Sequence, residues 1–185
     1  MKVSKGMMAL GLVSVLAFCI FAQEKTKVFK YVGSKSCKAC HMTKKSGAAF
    51  KIWQSSKHAQ AYVALASDQA KAIAKKKGIA DPQKSKECLA CHVTAYGVED
   101  ALLGPKYSME EGVGCESCHG AGSDYKSKKV KMGIVKGTIE RASVGLIVPK
   151  EKDCKRCHNE KSPTFKEFDF KKMSAKIAHP RPKKT

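Results

Sequence analysis

Eight of the nine cysteines in this 185-residue chain form four C-x-x-C pairs, and a histidine directly follows each pair. Two thiols three positions apart can reach the two vinyl groups of one porphyrin, and the adjoining imidazole can then bind its iron. The pattern therefore predicts covalent attachment of four c-type haems. The attachment and proximal ligand residues are Cys37, Cys40, His41, Cys88, Cys91, His92, Cys115, Cys118, His119, Cys154, Cys157 and His158.

Zinc binding is the strongest rival interpretation, because C-x-x-C pairs also form tetrahedral structural centres. Zinc does not need a histidine in the same position after every pair, so four occurrences out of four favour haem. Plain disulfides are common in exported proteins, but they also leave these histidines unexplained. A thioredoxin-like redox motif is one C-x-x-C pair on a strand–helix unit. Four pairs scattered through a strand-poor chain do not match that motif.

Only two histidines, His58 and His179, lie outside the four motifs. At most two of the four irons can therefore have two histidine ligands, and the others need a methionine, another donor or an open position. His58 lies in the segment WQSSKHAQAY, between Trp53 and Tyr62, whose rings are suited to packing on a porphyrin face. His179 lies in the polar C-terminal segment HPRPKKT.

The first 22 residues predict a cleaved secretory signal peptide. Lys2 and Lys5 form a basic start, the uncharged run MMALGLVSVLAFCIFA follows, and Ala22 offers a small residue for cleavage. An uncleaved membrane anchor is the alternative, but the run is shorter than the roughly 20 residues of a spanning helix. We therefore expect one haem-binding domain over residues 23–185, located in the periplasm.

The composition is strongly basic and poor in aromatic residues. Aromatic side chains make up 7% of the chain, and the formal net charge is +20. Four large apolar macrocycles would supply the buried surface that side chains do not. The charge favours acidic docking partners, export excludes nucleic acid, and peripheral contact with an anionic membrane surface stays open.

The expected fold class is mainly α with long loops and few or no strands, a multihaem cytochrome c fold organised around four covalently bound haems. Apolar residues recur at three- and four-residue steps over residues 46–66, which predicts a helix. A second helix is expected from an N-cap at Ser67 to Lys77, with Gly78 in the left-handed position that ends it. Residues 120–149 lack sustained apolar periodicity and are expected to be mostly loop with short helical turns.

Several segments in order resemble the tetrahaem cytochrome c-554 family of periplasmic electron-transfer proteins. The resemblance spans most of the chain that follows the signal peptide. It implies electron shuttling between redox partners such as multihaem oxidoreductases or other cytochromes. The segments that carry it are YVGSKSCKACH, WQSSKHAQAYVAL, CLACHVTAYG, GVGCESCHGAGSDY, KDCKRCH and KSPTFKEFDFKKMSAKIAHP.

The resemblance also implies which residues bind each iron on its second face. His58 is expected to pair with His119, and His179 with His158. The haem on His92 is expected to be five-coordinate. Such an open iron gives an alternative function, the reduction of nitric oxide or a related small nitrogen oxide.

The haem on His41 departs from the family pattern. The family takes its distal histidine from the segment after the third motif, but the corresponding SDYKSKKVKMG contains none. Met132 lies in this segment, and a thioether is a sound iron ligand. Ordinary packing of Met132, ligation by a lysine such as Lys129, and a second open iron are the alternatives.

Overall fold

The computed structural model describes residues 27–179 as a succession of short helices joined by turns and loops. The predicted signal peptide, residues 1–22, lies outside the described residues. The α-helices are α1 (Lys38–His41), α2 (Ala49–Gln54), α3 (Ala61–Ala64), α4 (Asp68–Lys76), α5 (Lys86–His92), α6 (Cys115–His119), α7 (Lys128–Lys136), α8 (Glu151–Lys155) and α9 (Phe170–Ala175). Single 3₁₀ turns span Ser34–Ser36, Lys44–Ser46, Asp100–Leu102, Met109–Glu111 and Ala142–Val144.

Strand pairing is minimal. Within residues 27–179, the only β contact is an isolated parallel bridge between Tyr31 and Leu103. This part of the chain also contains no helix of the length and apolarity needed to cross a membrane. The expectation of a mainly helical chain with few or no strands is confirmed for these residues.

The single helix expected over residues 46–66 is interrupted. α2 ends at Gln54, α3 begins at Ala61, and His58 lies in the turns between them. At the break, the carbonyl oxygen of His58 accepts hydrogen bonds from the amide of Ala61 at 3.2 Å and from the amide of Val113 at 2.9 Å. A tight turn with a tertiary contact thus replaces the i to i+4 bonding of a continuous helix.

The helix expected after Ser67 is confirmed as α4. The Ser67 hydroxyl accepts a hydrogen bond from the amide of Ala70, and Gly78 has a φ of +69° just beyond the helix end. Residues 120–149 hold more helix than expected, since α7 is nine residues long. Its N-cap, Ser127, accepts from the amide of Val130.

The apolar core is small for a chain of this length. One cluster joins Leu65, Leu89 and Val93, with Tyr62 and Cys88 packed against it. Among the described residues, no side chain is less than 2% exposed. Protein side chains alone thus bury little apolar surface in this fold.

Candidate functional site

The third motif, CESCH, connects all the other haem motifs. Glu116, one of its two variable residues, is only 3% exposed and accepts backbone hydrogen bonds from two separate segments. Its carboxylate oxygens lie 2.8 Å from the amides of Val32 and Gly33 and 2.7 Å from that of Gly122. The carboxylate therefore ties the segment before the first motif to the segment after the third.

The next residue, Ser117, links the third motif to the second and the fourth. Its hydroxyl lies 2.8 Å from that of Thr94, which follows the second motif and also accepts a hydrogen bond from the amide of Gly114. The carbonyl oxygen of Ser117 accepts from the guanidinium of Arg156, a variable residue of the fourth motif, at 2.9 Å. These polar contacts hold the three motifs together.

Thiols from different motifs are neighbours. All eight cysteines of the described residues are free thiols. A hydrogen bond to Cys115 is the largest cause of a raised pKa at Cys37. Burial raises the pKa of Cys157, and Cys91 adds to that rise. The first motif thus lies beside the third, and the second beside the fourth.

Two proximal histidines are oriented by backbone carbonyl groups. Nδ1 of His92 lies 2.7 Å from the carbonyl oxygen of Ala61, and Nδ1 of His119 lies 3.2 Å from that of Ile147. A proton on Nδ1 would satisfy each contact and leave Nε2 with a free lone pair. This is the arrangement typical of metal-binding histidines.

The two histidines outside the motifs each lie opposite a motif histidine. The ring centroids of His58 and His158 are 6.0 Å apart, and those of His119 and His179 are 5.8 Å apart. Imidazole nitrogens bind metal ions at about 2 Å, so two rings on opposite sides of one ion have centroids about 6 Å apart. Both pairs therefore have the separation that one shared iron requires.

These pairs are exchanged relative to the expectation. The resemblance paired His58 with His119 and His179 with His158, whereas in the structure the ring of His58 lies opposite that of His158 and the ring of His179 opposite that of His119. The backbone hydrogen bond from Val113 fixes the turn that carries His58, and this turn faces the fourth motif. The ring of His158 also stacks on Phe168, with centroids 4.8 Å apart and an interplanar angle of 16°.

Three of the paired histidines, His58, His119 and His158, have lowered pKa values that favour the neutral form. Burial lowers the pKa of His158, and it is the largest cause of the lowered pKa at His58 and His119. Neutral imidazole is the form that binds a metal, whereas imidazolium does not. The burial of these rings therefore favours ligation at neutral pH.

The first motif faces a small cavity that Met132 does not line. The cavity is lined by Val32, Ser36, Cys37, His41, Gly122, Tyr125, Lys126 and Lys131. The Met132 side chain is 47% exposed on the outer face of α7. The structure thus does not bring Met132 to His41, contrary to the expectation that it is the sixth ligand there.

The residues present fit covalently bound haem. Each motif has two free thiols, and its histidine ends a short helix or lies just beyond one. Within residues 27–179, no three or more His, Cys, Asp or Glu side chains converge as a site that could hold a metal ion. The histidines form opposed pairs instead.

Sequence reasoning missed Glu116, Ser117 and Arg156, because the haem motif leaves their positions free. An acidic residue between two cysteines in a basic chain was the one signal that could have drawn attention to Glu116. Its burial and its distant amide partners depend on the tertiary fold.

Comparison with known proteins gives one family and one relative. The family model described as cytochrome c554 and c-prime matches residues 36–120. Cytochrome c-554 of Nitrosomonas europaea is 34% identical over 136 residues, which are 70% of this chain and 55% of that protein. No solved structure matches the chain significantly. Both matches support the cytochrome c-554 family, a family of c-type cytochromes with covalently bound haem.

Proposed function

We propose that the chain is a periplasmic tetrahaem cytochrome that shuttles electrons between redox partners. The observation that carries this proposal is the opposition of His58 to His158 and of His179 to His119, at centroid distances of 6.0 and 5.8 Å. A haem iron with two histidine ligands offers no position to a substrate. Such a haem gains and loses electrons with little rearrangement.

The neighbouring motifs support transfer between haems within the molecule. Cys115 is the chief cause of the raised pKa of Cys37, and Cys91 and Cys154 add to the larger effect of burial at Cys157 and Cys118, so these thiols lie near one another. The attachment sites thus follow one another in the order first, third, fourth, second. Electrons would pass along this row and leave through an exposed haem edge.

The charge supports partners of opposite sign. With 36 basic and 16 acidic residues, the chain would favour acidic redox proteins, such as multihaem oxidoreductases or other cytochromes. Reduction of a small nitrogen oxide at the haem on His92 finds no support in the family match or in the relative's name. We therefore propose electron transfer alone.

The test is a haem count and a spin-state measurement on protein matured in a host that attaches c-type haem. We expect four haems per chain by mass spectrometry, with at least two low-spin ferric haems by electron paramagnetic resonance. Stepwise reduction and reoxidation without net consumption of nitric oxide is also expected. A count below four, or steady turnover of nitric oxide, would refute the proposal.

The histidine pairing has its own test. In the His58→Ala variant, carbon monoxide should bind the haem attached to Cys154 and Cys157, because that iron has lost its second ligand. A crystal structure of the reduced carbon monoxide complex identifies the haem directly. Binding at the haem of the third motif would instead restore the pairing of His58 with His119.

A further inference from the structure

The cavity beside His41 is lined by one further residue that could supply a second iron ligand. We propose that the side-chain amine of Lys131 is the sixth ligand of the haem iron held by His41. This inference rests on the proposed attachment of haem at the first motif. It assigns a metal ligand to the site where the family's histidine is missing.

Lys131 is less exposed to solvent than the other described lysines. Among all the lysines of residues 27–179, Lys131 alone is not exposed to solvent; its side chain is half-buried. A lysine amine is strongly hydrated, and its burial without a partner costs free energy. No carboxylate lies among the residues that line the cavity with it, so an ion pair there does not account for its position.

Helix α7 directs Lys131 inward and Met132 outward. In the first two turns of the helix, Val130, Lys131 and Ile134 are partly buried. Met132 and Val135 are 47% and 64% exposed on the opposite side. Successive residues of an α-helix are about 100° apart, so Lys131 and Met132 point in different directions, and only Lys131 lines the cavity.

Lys131 lies beside the residues of the first motif. It lines the same small cavity as Cys37, an attachment thiol, and His41, the proximal histidine of the same haem.

The other donors that line the cavity are engaged or exposed. The hydroxyl of Ser36 donates to the carbonyl oxygen of Val32 at 2.8 Å, and the phenol of Tyr125 donates to that of Gly120 at 2.6 Å. Burial also raises the pKa of Tyr125, which keeps the phenol in its protonated, non-ligating form. The side chain of Lys126 is exposed. Lys131 is thus the donor that remains.

Ligation by Lys131 requires its neutral form. The amine would release its proton to solvent when it binds the iron, since a metal ligand must offer a lone pair. A positive iron at the same position would disfavour an ammonium ion there.

The experiment uses the full-length haem protein and the Lys131→Ala variant. Ferric spin states are measured by electron paramagnetic resonance, and carbon monoxide bound per reduced chain is titrated. With all haems attached, we expect one more high-spin ferric haem and one more bound carbon monoxide per chain than in the unsubstituted protein. The Lys126→Ala and Met132→Ala variants are the matched controls and should change neither value.

Unchanged spin states and carbon monoxide binding in Lys131→Ala would overturn the proposal, and the same change in Met132→Ala would transfer the ligand to that residue. Lys131→His provides a second measurement, since a histidine at this position should keep the haem low-spin. Near-infrared magnetic circular dichroism should then change from a histidine–amine to a bis-histidine signature. No amine signature in the unsubstituted protein would also refute the proposal. The haem count separates either result from a failure of haem attachment itself.

Discussion

Glu116 occupies a position that the haem attachment motif leaves free, yet it organises the surroundings of two motifs. Its carboxylate accepts hydrogen bonds from the amides of Val32, Gly33 and Gly122. Replacement by a small apolar residue would leave three amide donors without this acceptor. Burial of unsatisfied amide groups is among the more costly changes a fold can suffer.

The Glu116→Ala variant is therefore expected to lose at least about 3 kcal/mol of unfolding free energy, at about 1–3 kcal/mol for each unsatisfied buried group. The measurement is denaturant unfolding of the haem-loaded protein, followed by circular dichroism. Glu110→Ala is the control, because the Glu110 side chain is exposed; its effect should stay within about 0.5 kcal/mol. Equal stability of the two variants would show that the buried carboxylate is not needed.

At this scale the sequence carries a local signal for the motif residues and no local signal for the residues that lie opposite them in the structure. A thiol pair with its histidine is a local pattern, and its residues are adjacent by covalent geometry. The opposition of His58 to His158, by contrast, joins residues 100 positions apart, and no local pattern reports it. Met132 and Lys131 are sequence neighbours, and only the rotation of α7 decides between them.

The turn between α2 and α3 is the element that places His58. Gly112 packs against this turn with a φ of +67°, and a Cβ atom at Gly112 would lie 2.7 Å from the carbonyl oxygen of His58. The indole of Trp53 donates to the carbonyl oxygen of Val113 at 2.8 Å, so α2 is held to the same segment. Gly112 and Val113 thus hold both α2 and the turn that carries His58.

Gly112→Ala is expected to destabilise the protein and to displace His58. Gly78→Ala is a matched control, since Gly78 has a φ of +69° but no atom within 4 Å of the added Cβ. The control should cost about 1–2 kcal/mol, the usual cost of a left-handed alanine, and Gly112→Ala should cost more. Unfolding midpoints give the difference, and electron paramagnetic resonance should show a disturbed low-spin haem only in Gly112→Ala.

Capping residues made α4 predictable, whereas the break near His58 was not. Ser67 and Gly78 mark the two ends of α4 locally, and a local signal suffices there. The apolar pattern over residues 46–66 continues through the turn, because residues on both sides of it pack inward. The hydrogen bond from Val113 to His58 overrides that pattern from outside the segment.

Over the whole molecule, the small apolar core implies that haem is part of the fold. Only seven hydrophobic residues among the described residues are buried, and the main cluster contains three of them. Burial of apolar surface is the dominant favourable term in folding, and this chain supplies little of it from side chains. Attached macrocycles would complete the interior.

We therefore expect the chain produced without haem attachment to lack a cooperative unfolding transition. Thermal unfolding of the haem-free chain and of the haem-loaded protein is compared by far-ultraviolet circular dichroism. The loaded protein should show one sharp transition, and the haem-free chain a gradual change. A sharp transition in the haem-free chain would show that side chains alone are sufficient.

The basic surface predicts how the protein selects partners. The full chain has a formal net charge of +20, and it stays strongly basic without Lys2 and Lys5 of the expected signal peptide. Electron transfer with an anionic iron complex should therefore be fast and should slow steeply as salt is added. A cationic cobalt complex is the control, and its reaction should accelerate with salt. Stopped-flow absorbance of the haem bands measures both, and equal salt dependence would show that the charge does not steer encounters.

The proximity of Cys37 to Cys115 has a consequence for biogenesis. In the periplasmic location proposed for this chain, a polypeptide that reached this conformation before its cofactors arrived would hold reduced sulfur atoms of two different motifs close together in an oxidising compartment. Oxidation would then join them in a cross-link that blocks both attachment positions. Timely delivery of haem to an unfolded, reduced polypeptide is therefore a condition for obtaining the mature molecule.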